Sequence, residues 1–215
     1  QQIINFIKFN FMTLFKQQPL EKLFNEAKQR TEAAVRYKSE HEFFSFTKEK
    51  LVEIFMRDEK IGHLQINLDE RTSDVQMVSI PSEQFPPGYD VRRGEKYPMA
   101  RVKYSYKKPA KDNLLNYLPK GVTFNKNVDF SVGSDKLHIY FQTLYANENL
   151  SDEVKKEVRN FMIELHEDIN NVIEVMNAEI DAFNIELKEN IENWIDARIE
   201  KKTQKDKQND DLNNF

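Results

Sequence analysis

The feature that most constrains this chain is an unbroken apolar repeat of eleven residues running through positions 151–205. Val154, Leu165, Met176 and Leu187 stand eleven apart, as do Val158, Ile169, Ile180 and Ile191, and again Phe161, Val172, Phe183 and Trp194. Met162, Ile173 and Ile195 sit beside members of the third series. The internal spacing of four, three and four keeps all of these side chains on one face of an α-helix. Neither Gly nor Pro occurs between Ser134 and Phe215, so no turn signal cuts the segment. A helix of roughly 50 residues reaches about 75 Å, far beyond the globular average. Eleven residues in three turns is about 3.67 per turn, so the stripe drifts little and any supercoil is expected to be weakly right-handed.

Two readings of the stripe follow. Its first half can pack on the chain's own sheet and early helices. Its second half can project and meet a symmetry mate or a partner helix, because exposed Phe183, Leu187, Ile191 and Trp194 would form an interaction surface. The expected protein interface is therefore Val172, Met176, Ile180, Phe183, Leu187, Ile191 and Trp194, and the expected partner a second copy or another helix. Ser151 is placed to cap the helix, with Asp152 and Glu153 favourable in its first turn.

Upstream, the period changes twice. The run 3–15 is apolar, too short to span a bilayer and without the basic start of a secretory signal, so it reads as a core helix. Met12 within it would serve as an initiator. Pro19 opens a second helix in which Leu20, Leu23, Phe24, Ala27, Thr31 and Ala34 share a face. Phe43, Phe44 and Phe46 mark a buried change of direction, and Thr47 caps a third helix burying Leu51, Ile54 and Phe55. Residues 63–68 then alternate like a strand, with 69–74 as a turn and 75–80 returning antiparallel. Residues 101–107 alternate again, 111–117 form a short helix, and Gly133–Ser134 joins two strands in a hairpin. The fold class expected is α+β, with N-terminal helices, a small mostly antiparallel sheet and a very long C-terminal helix. The expected parts are helices over 1–60, a β-rich part over 61–150, the long helix over 151–205 and a frayed tail over 206–215.

Chemistry is sparse. The 215 residues hold five glycines, none clustered as a phosphate cradle, and no cysteine, which removes disulfides, thiolate metal sites and a Cys nucleophile and fits a reducing cytoplasm. The four histidines, His41, His63, His138 and His166, lack metal-ligand spacing, and no nucleotide-loop, zinc-protease or nucleophile-elbow motif occurs. No catalytic, cofactor or metal residue is assigned. The net charge of −4 by itself implies neither nucleic acid nor membrane, and no membrane partner is expected. One basic cluster stands out: Arg92, Arg93, Lys96, Arg101, Lys103, Lys107, Lys108 and Lys111, interleaved with Tyr97, Tyr104 and Tyr106. Arg92, Arg93, Arg101, Lys103 and Lys107 could hold a nucleic-acid backbone. Alternation instead turns the tyrosines inward and the cations toward solvent or toward acidic partners.

Residues 100–202 also carry a pattern of larger reach. An alternating strand, Ala100 to Tyr104, precedes Leu114–Leu115–Asn116–Tyr117–Leu118–Pro119 and a further strand over 136–145. The long helix then bears Ile180–Asp181–Ala182–Phe183 and Ala197–Arg198–Ile199–Glu200. This resembles the N-terminal accessory region of uncharacterised bacterial multidomain proteins of the anti-phage defence type, which carry a C-terminal nuclease-like or TIR-like effector. The resemblance implies a non-catalytic accessory domain for oligomerisation or sensing, linked by the long helix to an effector.

Overall fold

The computed structural model describes residues 12–214. In chain order its elements are β1 (Met12–Thr13), β2 (Gln18–Pro19), α1 (Leu20–Tyr37), α2 (Glu40–Phe44), α3 (Lys48–Glu59), β3 (Arg71–Pro81), β4 (Lys96–Lys107), β5 (Tyr117–Leu118), β6 (Asp129–Val132), β7 (Lys136–Gln142) and α4 (Asp152–Asn213). This is the α+β class expected. The chain divides into a sheet unit, comprising the described residues through Pro19 and Leu64–Met176, and a helical unit, Leu20–His63 and the described residues from Asn177 on.

In the sheet unit five strands pair antiparallel in the order β1-β6-β7-β4-β3, and β2 pairs parallel with β5. The β6–β7 hairpin turns through Gly133, whose N–H donates to the Lys136 carbonyl at 2.8 Å. Register puts Val102 opposite Phe141, Tyr106 opposite Leu137 and Phe130 opposite Ile139, so these share one face. The first part of α4 supplies apolar cover there. The Phe161 ring meets Phe141 edge-on at 4.8 Å, and Val158, Met162, Leu165 and Ile169 are buried.

The strand expected over 63–68 does not form. Leu64 and Leu68 are buried in alternation, yet the backbone joins no ladder, and the strand begins at Arg71 inside the expected turn. Alternating burial needs only an extended chain with one side covered, whereas a strand needs a neighbour for its N–H and C=O groups. The twelve-residue β4 is that neighbour, pairing Val75 with Val102 and Ile80 with Tyr97. The expected N-terminal core helix is corrected over its described part. Met12 and Thr13 pair with β6, and Leu14 and Phe15 form a buried turn; positions 3–11 lie outside the described residues. Phe15 has φ 59°, which costs a non-glycine residue about 1–2 kcal/mol. Its full burial, an edge-on contact with Phe124 at 5.4 Å and a 2.7 Å bond from its N–H to the Leu115 carbonyl oppose that cost.

The helical unit packs α1 and α3 against α4. Ala27, Val35, Phe43, Leu51, Val52 and Phe55 form one cluster with Phe183, Leu187, Ile191 and Ile195, and Phe24 stacks on Phe183 at 4.4 Å. Val35 holds the position expected of Ala34, which is exposed, while Phe44 and Phe46 are exposed rather than buried. Thr47 caps α3 as expected, accepting from the Lys50 N–H at 3.3 Å. Asn184, a polar residue in the stripe, accepts from the Ile61 N–H at 3.1 Å and donates to the Ile61 carbonyl at 2.9 Å, so its burial leaves neither amide atom unmet. Arg198 donates to the Val35 and Lys38 carbonyls at the C-terminal end of α1 and lies 4.1 Å over the Phe43 ring, where a cation is favoured by the helix dipole.

Helix α4 spans 62 residues, about 93 Å at 1.5 Å per residue. Ser151 caps it by accepting from the Val154 N–H at 3.4 Å. It continues to Asn213, through the tail expected to fray from 206, and the Lys202–Asp206 and Glu200–Gln204 pairs support the extra turns at the favourable four-residue spacing. Among the described residues no helix is long and apolar enough to cross a membrane.

Candidate functional site

The face expected to bind a partner is already covered by this chain. Val172 and Met176 are buried in the sheet unit, and Ile180, Phe183, Leu187 and Ile191 in the helical unit. Trp194 is only partly buried, and Ile195 takes the core position beside it. The expected interface is thus core. An apolar stripe establishes that something covers it, and here the cover comes from elements of the same chain.

The basic segment is likewise dispersed. Arg101 is 5% exposed, donates to the Asp129 carboxylate at 3.0 Å and stacks 4.4 Å over the Tyr140 ring. Burial pulls its guanidinium below the ordinary value and pushes the Asp129 carboxyl up, with Arg101 partly restoring the latter. Lys103 lies 3.3 Å from Asp74, whose carboxyl is held down first by a bond from Gln76 and then by Lys103. Arg92 and Arg93 are exposed in the turn before β4, while Lys107 is the last residue of that strand. Lys96 to Lys107 alone spans roughly 36 Å of strand, so these cations make no single patch. The acidic partners are Asp74 and Asp129, on strands rather than on the acidic long helix.

Two histidines of the sheet unit are engaged internally. Ser105 Oγ and His138 Nδ1 are 2.8 Å apart on one face of β4, and Tyr106 hydroxyl and His166 Nε2 are 2.8 Å apart on the other. Burial is the first cause that lowers both imidazoles, and it raises the Tyr106 phenol above its ordinary value. No hydrogen-bond partner meets His138 Nε2 among the described residues, so no third group orients the Ser105–His138 pair as a nucleophile–base system requires. Among the described residues no three His, Asp or Glu side chains converge to hold a metal ion.

A different arrangement appears where the stripe ends. Between Phe161 and Ala197, α4 carries Lys188 as its only Lys or Arg; then Arg198, Lys201, Lys202, Lys205 and Lys207 crowd the next three turns. Trp194, Ala197, Lys201 and Lys205 recur at three- and four-residue spacing and so share a face. They line a groove of about 550 Å³ whose other wall comes from Arg36 at the end of α1 and Phe44 of α2. Five cations and two carboxylates line it. Glu32 pairs with Arg36 at 2.7 Å, and Glu40 lies 3.9 Å from Lys202, which a closer Asp206 at 2.9 Å holds more firmly protonated. Lys201 and Lys205 have no carboxylate partner among the described residues. The sequence signal for this site was the abrupt change from an acidic, apolar-striped helix to a basic one after Trp194. Composition masks that signal, because Lys, Gln, Asn and Asp together resemble a solvated end.

Comparison of the chain with protein-family models, with curated proteins and with solved structures returned no match.

Proposed function

We propose that this chain is a non-catalytic sensing module, the accessory part of a larger bacterial protein, and that its ligand is a polyanion held in the groove of the helical unit. The observation that carries this reading is the pair Lys201 and Lys205. Like charges four residues apart on a helix destabilise it by a few tenths of a kcal/mol, and among the described residues no carboxylate pairs with either, although carboxylates outnumber cations along α4. Arg36 and Lys202, each paired with a carboxylate, border the same groove, whose volume lies within the range of small-molecule sites. A polyanion would offset that repulsion by bridging the two ammonium groups. The resemblance of residues 100–202 to defence-type accessory regions supports placing an effector next to this module, with α4 as the link between ligand and effector.

The test is thermal unfolding with inorganic tripolyphosphate at low ionic strength. At about a hundredfold excess over Kd the stabilisation is about 2.7 kcal/mol, which raises Tm by roughly 5–10 °C for a chain of this size. Replacing Lys201 and Lys205 by Ala is expected to abolish the rise. An equal rise in the double variant would count against the groove.

A further inference from the structure

Building on the reading of the groove as a polyanion site, we infer that its ligand carries a nucleobase as well as phosphate: the groove places an aromatic side chain and two ammonium groups in one row, with a second aromatic residue on the facing wall. Trp194 begins the row, Ala197 follows one turn later, and Lys201 and Lys205 continue it. Two turns, about 10 Å of helix axis, separate the backbone positions of Trp194 and Lys201. Phe44, 42% exposed, lines the opposite wall. A base–sugar–phosphate unit has this polarity, with a flat apolar π-face at one end and negative charge at the other. Base-on-aromatic stacking beside a basic track is how such units are held without regard to base identity. An acidic peptide would use the cations and leave Phe44 in water.

The residue between the aromatic and basic ends supports the same conclusion. Ala197 is exposed and small where every other position of the row is long, so the groove stays open between its apolar and charged ends. Arg198 is taken up by the carbonyls of α1 and the Phe43 ring, and Arg36 by Glu32. The cations left for phosphate are therefore Lys201 and Lys205, with Lys202 at the edge. Ammonium groups of this kind act as point charges on phosphate and do not select a planar fork. The site should accordingly tolerate different phosphate arrangements, whether a nucleoside polyphosphate or a nucleotide within a single strand.

Trp194 is the only tryptophan of the chain and lines the groove, so indole emission has a single source there. The experiment titrates the protein with adenosine triphosphate, a short single-stranded oligodeoxyadenylate and inorganic tripolyphosphate, following emission and, by calorimetry, affinity. At least one adenine-bearing ligand is expected to quench Trp194 saturably, while tripolyphosphate competes without quenching. Quenching by the mononucleotide or by the strand identifies the source, and either upholds the inference. Phe44→Ala, at an exposed position, should weaken the adenine ligand by at least about fivefold and leave tripolyphosphate unchanged. Ala197→Leu, which fills the groove without altering charge, should abolish binding of all three. Equal affinity for triphosphate with and without the base, and no effect of Phe44→Ala, would overturn the nucleobase and leave the polyanion site standing. Failure of all three ligands to bind the parent protein would remove both.

Discussion

In the sheet unit Arg101, Lys103 and Lys126 each lie within 3.3 Å of a carboxylate, from Asp129, Asp74 and Glu164 respectively, whereas Lys201 and Lys205 in the helical unit have none among the described residues. Both regions are rich in cations and both mix them with aromatic side chains. Lys126 even lies 5.2 Å over the Phe161 ring, an arrangement that by composition alone would look like a ligand site. What separates the two is whether the charge is already met within the chain. A cation paired within the chain holds the fold; one left facing a groove is available to something else.

The comparison can be broken first at Arg101. If its pairing is structural, removing the buried Arg101 side chain by Arg101→Ala leaves a half-buried Asp129 without that partner and costs up to about 3–5 kcal/mol in denaturant unfolding. Replacing the pair together, Arg101→Met with Asp129→Leu, should lose far less, because two desolvated charges are removed at once. Equal losses in single and double variants would mean the pair contributes nothing specific.

Next in size is the stripe. Leu187→Ala, at a fully buried site, is expected to cost about 2–5 kcal/mol with no change in solution mass. A change of mass without loss of stability would restore the stripe as an interface. Asn184→Ala strands the Ile61 N–H and carbonyl and should cost about 1–3 kcal/mol.

A pH series sharpens the sheet unit. Burial holds His138 and His166 below the ordinary histidine value of about 6.5, so in that window the unfolded chain binds more protons than the folded one. Stability should therefore rise with pH through this range and fall on acidification below about pH 6.5. His166→Gln should flatten that slope, and an unchanged slope would exclude the Tyr106–His166 pair as its source. Asp129 runs the other way, since its raised carboxyl favours the folded state on protonation at lower pH.

The smallest effect belongs to the groove. Lys201→Glu places Glu four residues before Lys205, the favourable order, and should stabilise by a few tenths of a kcal/mol in urea unfolding. Destabilisation there would mean Lys201 has structural work that the groove reading omits.

What the sequence disclosed and what it hid divide along physical lines. The length of α4, the Ser151 and Thr47 caps and the Gly133 hairpin were legible because each rests on interactions within a few residues. Arg101 was not, since alternation alone put it on the solvent side, and only register across β7 brings Asp129 within reach. Trp194 and Ile195 were interchangeable in the repeat; the cover from the other helices decided for Ile195. The groove was hidden for the same reason, because half of its wall comes from residues 32–44, far away in the chain.

The most direct single measurement is a hydrogen-exchange map of the parent protein with and without tripolyphosphate. Added protection is expected at the end of α1, α2 and residues 194–205 alone, with β4 and the turn carrying Arg92 and Arg93 unchanged. Protection appearing at residues 92–107 and absent from 194–205 would contradict it, and would return function to the basic segment of the sheet unit.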